Sequence, residues 1–420
     1  MPDAQTLLLI LTIAVALAFD FTNGFHDTAN AIATTVGTRA LRPRFAIAFS
    51  AVFNLIGAIV ATQLLHAKVA DTIGSLVAPP EGIGLSMIVA ALFGATAWNL
   101  ITWRAGLPSS SSHALIGGLI GVGLAAYGVE AVVWEKVYPV FIALVTSPIV
   151  GFLIAYVVTV LLLNLLRRTR PSRANSAFRK LQLFSSGFVS FSHGANDAQK
   201  TMAIITLALL SSGRLTEFAV PAWVVLAAAL AIGLGTWAGG WRIIRTISSR
   251  IIRMEPVDGF AAQTVGAVVI QVATSWGLPV STTHVISGSV MGAGATRRLS
   301  AVRWGVARRI LWAWVFTIPA SAALAALTAL FVEGGLPTIA TAILVLGATV
   351  ITLLARRTRQ ERPITDVGIA SLDNPNAAGK RTVEDRGLED VRMVAGSTHG
   401  RDPHSGGPHS PVSKNPGGKR

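Results

Sequence analysis

The sequence predicts an all-α polytopic membrane protein with two inverted-topology repeats whose broken or re-entrant helices meet at the midplane. Three observations predict it: an apolar composition, long apolar stretches recurring along most of the 420 residues, and two motifs that return in the same order in both halves.

Hydrophobic residues make up 52% of the chain and charged residues 13%, with a mean hydropathy of +0.59. That is too apolar for an ordinary aqueous surface at this length. A helical crossing takes about 20 apolar residues. Apolar segments fall at 5–38, 43–66, 83–103, 107–127, 137–166, 178–212, 218–245, 257–277, 279–296, 301–331 and 338–356, some short enough to be re-entrant. The opening stretch is one of a series, so it reads as a span and not as a cleaved signal. There is no cysteine, which excludes disulfides, thiolate nucleophiles and cysteine metal sites.

The formal charge of +15 would suggest nucleic acid in a soluble chain, but its distribution follows the spans. Residues 357–420 hold 11 Lys/Arg against 8 Asp/Glu, a net +3, and the apolar body keeps the rest. Basic clusters lie at Arg39/Arg42/Arg44, Arg167–Lys180, Arg242–Arg253, Arg297–Arg309 and Arg356–Arg362, while Asp71, Glu81, Glu130, Glu135, Glu217 and Glu333 occupy the other connections. The positive-inside rule then places the N-terminus outside and the tail in the cytoplasm. No nucleic-acid partner is expected; the partner surface is the lipid bilayer. The expected organisation is a first repeat at 1–166, a polar Pro-interrupted joint at 167–180, a second repeat with a final helix at 181–356, and a disordered tail at 357–420.

The repeat is read from paired motifs. Gly24-Phe25-His26-Asp27 matches Gly194-Ala195-Asn196-Asp197, 170 residues apart, and GLPSSSSH at 106–113 matches GLPVSTTH at 277–284, 171 apart. Gly117 and Gly121 continue the second match with Gly288 and Gly292. A constant offset over separate motifs indicates duplication. Asp27 runs toward the basic cluster at Arg39 and Asp197 starts from the one at Arg167–Lys180, so the repeats are expected to be antiparallel. Inverted repeats with Gly/Pro-interrupted segments point to a transporter with a midplane site.

In each Gly-Leu-Pro entry the proline suits a first helical turn and the hydroxyls suit an N-cap, so half-helices are expected to start near Pro108 and Pro279. Helix N-termini bind anions, and hydroxyls add donors. Two such ends facing each other would enclose a small oxyanion. Asp27 and Asp197 lie in apolar surroundings where an isolated carboxylate needs a cation, a proton or a polar partner, which makes them candidates for a coupling ion. Asn23, Asn30, Asn196 and Gln199 supply neutral oxygens or amide donors nearby. His26 is suited to handling protons. Lys200 could pair with a carboxylate or the anion, or snorkel; His113 and His284 read as packing histidines. A Ser–His nucleophile at Ser110 and His113 lacks a third orienting group and occurs twice, so no catalytic residue is assigned. Nothing in the sequence indicates a nucleotide loop, a resident metal or a cofactor.

These residues resemble the inorganic phosphate transporter family: NGFHDTANA at 23–31, SHGANDAQK at 192–200, and the Ser/Thr runs at 109–113 and 281–284 are similar to its signatures, in order, across nearly all of 1–356. The resemblance implies a secondary transporter, not an enzyme, carrying inorganic phosphate with a coupling cation. It implies that Ser109, Ser110, Ser111, Ser281, Thr282 and Thr283 surround the anion, with Asp27, Asn30, Asp197 and Gln199 near anion or cation. Gly-Phe-His-Asp in place of Gly-Ala-Asn-Asp resembles the bacterial low-affinity members. His26 standing where the second repeat has Asn196 then favours proton over sodium coupling, with phosphate carried as a metal complex in those members. The expectation is a multi-pass bacterial inner-membrane symporter. Sodium coupling, another tetrahedral oxyanion such as sulfate, a passive channel and homo-oligomerisation stay open.

Overall fold

The computed structural model describes residues 3–333, apart from 66, 67, 80, 81, 241, 242, 245 and 253, together with Ala340. The last expected span, 338–356, and the tail, 357–420, lie outside the described residues except for Ala340.

The described residues form eleven α-helices and no strand beyond an isolated bridge between Val77 and Val132. They are α1 (Ala4–Gly37), α2 (Pro43–Gln63), α3 (Val69–Gly74), α4 (Leu85–Ala105), α5 (Ser111–Val122), α6 (Trp134–Leu166), α7 (Pro171–Ser211), α8 (Ala222–Ala238), α9 (Pro256–Ser275), α10 (Thr282–Ala295) and α11 (Trp304–Glu333). Six of them, α1, α2, α4, α6, α9 and α11, are long and apolar enough to cross a membrane. The chain is therefore a multi-pass membrane protein.

Apolar side chains point outward as well as inward. Phe141, Ile142, Val145, Ile149, Leu153 and Leu161 of α6 are exposed, as a helix facing hydrocarbon requires. In contrast, every residue of α10 is buried. The innermost helices are thus wrapped by protein, and polar groups on them are removed from lipid.

The four motifs do different things to the backbone. The Gly-Phe-His-Asp and Gly-Ala-Asn-Asp segments run through unbroken helix, inside the 34 residues of α1 and the 41 of α7. The chain breaks only at the Gly-Leu-Pro segments, and both breaks are built alike. Gly106 (φ 67°) ends α4 and Gly277 (φ 71°) follows α9 in the left-handed conformation that favours glycine. Leu107 N–H donates to Thr102 O at 3.0 Å, and Leu278 N–H to Ala273 O at 2.9 Å. The new helices begin at Ser111 and Thr282, three residues beyond the prolines expected to open them. The reason is the cap: Ser110 Oγ accepts from His113 N–H at 3.1 Å and Ser281 Oγ from His284 N–H at 3.2 Å, so each serine, extended in backbone, sets the start.

The halves pack by exchange. α1 lies on α8 and α7 lies on α2; α5 lies on α11 and α10 on α6. Glycines permit the approach: a Cβ on Gly57 of α2 would collide with Phe191 O of α7, and one on Gly235 of α8 with Phe21 O of α1. Small residues that let helix backbones touch are the usual device where lipid provides no hydrophobic drive.

Replacing Gly57 by Ala is expected to destabilise the fold by about 1–3 kcal/mol through this overpacking. Gly305→Ala, where no heavy atom lies within 4 Å, is expected to be neutral or slightly stabilising. Thermal unfolding in detergent compares the two.

Candidate functional site

The first turns of α5 and α10 meet inside the bundle. Ser112 Oγ donates to Val280 O at 3.0 Å, and the rings of His113 and His284 lie 4.3 Å apart, His284 also stacking on Trp314 at 3.9 Å. Two helix N-termini, with their N–H groups and positive dipole ends, therefore share one buried space.

Asp27 enters that space from α1 and is 2% exposed. Ser111 Oγ donates to its Oδ2 at 3.1 Å and Thr283 Oγ1 to its Oδ1 at 3.1 Å, one hydroxyl from each helix start. His26 Nδ1 lies 2.7 Å from Oδ1, and Asn30 Nδ2 donates to Thr283 Oγ1 at 2.8 Å. Burying an isolated carboxylate this deeply costs several kcal/mol, and these donors offset it. Two of them sit in the first turns of the broken helices, which brings both helix starts against Asp27.

Asp197, fully buried in α7, has a different environment. Lys200 Nζ sits 2.5 Å from Asp197 Oδ1 and 2.5 Å from Ser112 Oγ. Asn23 Nδ2 approaches Oδ2 at 3.4 Å. His193, one turn before Asp197, stands between the two carboxylates: its Nε2 is 3.3 Å from Asp197 Oδ2 and 4.0 Å from Asp27 Oδ2, while Nδ1 meets Asn54 Oδ1 at 3.0 Å. Ligand atoms of Asp27, His193 and Asp197 all fall within 4.8 Å of one another.

Most of the residues singled out by sequence converge here, in distinct positions. Ser109 Oγ lies 2.6 Å from the Thr102 hydroxyl and 3.4 Å from His26 Nε2. Ser110 and Ser281 serve as caps, and Thr282 is buried in the first turn of α10. Asn196 donates through Nδ2 to Asp197 Oδ1 and to Val280 O, each at 3.2 Å, and its Oδ1 lies 2.8 Å from the Thr274 hydroxyl of α9. Gln199 engages elsewhere: its Oε1 accepts from the N–H groups of Val69 and Ala70 at 3.0 and 3.3 Å, capping α3. Two residues past Asp197, it points from the opposite face of α7. Lys200 does not snorkel; it is 0% exposed and holds Asp197.

His193 is absent from the residues predicted by sequence. The signal that finds it is its spacing, four residues before Asp197 and so on the same helical face. It also revises the reading of His26. At the repeat offset His193 corresponds to Asn23, just as His26 corresponds to Asn196. Each aspartate therefore has one histidine on its own helix, and the histidine–asparagine exchange does not by itself distinguish the halves. Asn23 Oδ1 and Asn30 Oδ1 are buried and have no hydrogen-bond partner among the described residues.

Removing a cap should loosen the cradle without touching a carboxylate. Ser110→Ala and Ser281→Ala are each expected to lower stability by about 0.5–2 kcal/mol, with threonine restoring part of the loss, as measured by thermal unfolding in detergent.

Comparison with known proteins places this geometry in context. The model of the Phosphate transporter family matches residues 23–325. A probable low-affinity inorganic phosphate transporter of Rhizobium meliloti is 50% identical over 321 residues, covering 76% of this chain and 95% of that protein. One of the same description from Bacillus subtilis is 46% identical, covering 77% and 97%. Among solved structures, one described as the sodium-dependent phosphate transporter superposes with a TM-score of 0.69 at 24% identity, covering 78% of this chain and all of that one, a likeness of fold. The match spans all four motifs and both carboxylates, and this chain belongs to the Phosphate transporter family.

Proposed function

We propose that this chain imports inorganic phosphate by proton-coupled symport across a bacterial inner membrane. The observation that carries the reading is the convergence of two helix N-termini on the buried carboxylate of Asp27, with His193 and Asp197 beside it. N–H groups and hydroxyls at two helix ends suit a tetrahedral oxyanion. The names of the relatives favour phosphate over sulfate. Carboxylates and imidazoles grouped in one buried space offer neighbouring atoms between which a proton can be held. Ser109, Ser111, Thr282, Thr283 and Asn30 are the candidate anion ligands, and Asp27 with His26 and His193 the candidate proton carriers.

The charge pattern of the loops supports antiparallel repeats with the N-terminus outside. Alternating access then follows from one repeat rocking against the other around the site. A divalent metal accompanying phosphate would lower the charge carried into the bundle.

Sodium coupling is the second reading. It is favoured by the buried oxygens of Asn23 and Asn30, which have no hydrogen-bond partner among the described residues and suit a hard cation, and by the description of the structural neighbour as sodium-dependent.

Purified protein in liposomes under separately imposed proton and sodium gradients tests the proposal. Labelled phosphate is expected to accumulate under the proton gradient, with weak competition from sulfate. Asp27→Asn is expected to reduce accumulation at least tenfold. Accumulation under sodium alone transfers the role to the second reading, and accumulation under neither removes symport.

A further inference from the structure

The two half-sites differ at one pair of positions in a way that changes their charge. At the offset that relates Asp27 to Asp197, Asn30 corresponds to Lys200. The side chains hold corresponding places. Asn30 Nδ2 donates to the hydroxyl of Thr283 in the first turn of α10, and Lys200 Nζ donates to the hydroxyl of Ser112 in the first turn of α5. Thr283 and Ser112 are themselves a matched pair at the second motif offset. Asn30 and Lys200 each stand three residues after their aspartate, on the same face of α1 and α7.

Asn30 brings a neutral amide whose oxygen is buried and has no hydrogen-bond partner among the described residues. Lys200 brings an ammonium, fully buried, 2.5 Å from Asp197. A compact point charge with donors, it stands against Asp197 where a bound cation would stand. We propose that Lys200 is a tethered cation: it occupies permanently, at Asp197, the position that a transported ion would take, so that coupling passes through the Asp27 half alone. The same charge lies beside the first turn of α5, where it adds to the attraction for an anion that two bare aspartates would repel.

The inference rests on the symport reading for its meaning in transport, but sodium binding tests it directly. In detergent-purified full-length protein, wild type is expected to show no sodium-22 binding that Asp197→Asn removes. Lys200→Asn, which installs at position 200 the amide present at position 30, is expected to gain about one sodium ion per chain over wild type. That gain should vanish in the Lys200→Asn/Asp197→Asn double variant. A folded Lys200→Asn protein that binds no more sodium than wild type overturns the proposal. So does wild-type sodium binding that Asp197→Asn abolishes and Asp27→Asn spares, a measurement that holds even if the lysine variant does not fold. Failure of every gradient to drive uptake by wild type would instead remove the symport reading, and the binding measurements still decide the role of Lys200.

Discussion

The carboxylate of Asp27 is the constraint around which the interior is arranged. A charge that far from water in an apolar bundle needs several donors. The backbone of the helix that carries Asp27 cannot supply them, because its N–H groups are engaged along α1. They come from the hydroxyls of Ser111 and Thr283 and from His26. The interruptions of α4/α5 and α9/α10 therefore belong to the same design as the buried acid. Gly106 and Gly277 close the preceding helices, Ser110 and Ser281 cap the next ones, and a hydroxyl from each resulting first turn reaches Asp27.

Bringing those ends to one place depends on how the halves interlock. Each aspartate-bearing helix lies against a helix of the other half, α1 on α8 and α7 on α2, with carbonyls seated against glycines that tolerate no side chain. The exchange carries through to the site: Thr283 of the second half serves Asp27 of the first, and Ser112 of the first half receives Lys200 of the second. Neither half holds a complete set of contacts. A relative shift of the two would change the partners of both carboxylates together, as the proposed coupling of an ion to an anion requires.

Much of this was legible in the sequence, because hydropathy, Gly-Leu-Pro signals and a duplicated motif are local. The helices follow the apolar segments to within several residues, and the breaks fall at Gly106 and Gly277. The start of each half-helix was displaced because a capping serine outweighs a proline two residues before it. What depends on packing was hidden. Gln199 lies in the same motif as Asp197 yet caps α3 from the opposite helical face. His193 carries an ordinary motif position, and only the crossing of α1 and α7 sets it between two acids. The pairing of Lys200 with Asp197 at i, i+3 was one of several sequence readings; full burial selects it over snorkelling.

The central claim is that the anion binds between the starts of α5 and α10, beside Asp27. The most direct test is an anomalous difference map at the arsenic edge from crystals grown with arsenate, the heavier analogue of phosphate. The account predicts a peak within hydrogen-bonding distance of the Ser111 and Thr283 side chains, diminished by Ser111→Ala combined with Thr283→Val. A bound arsenic peak elsewhere in the protein, with none between these two helix starts, would contradict it.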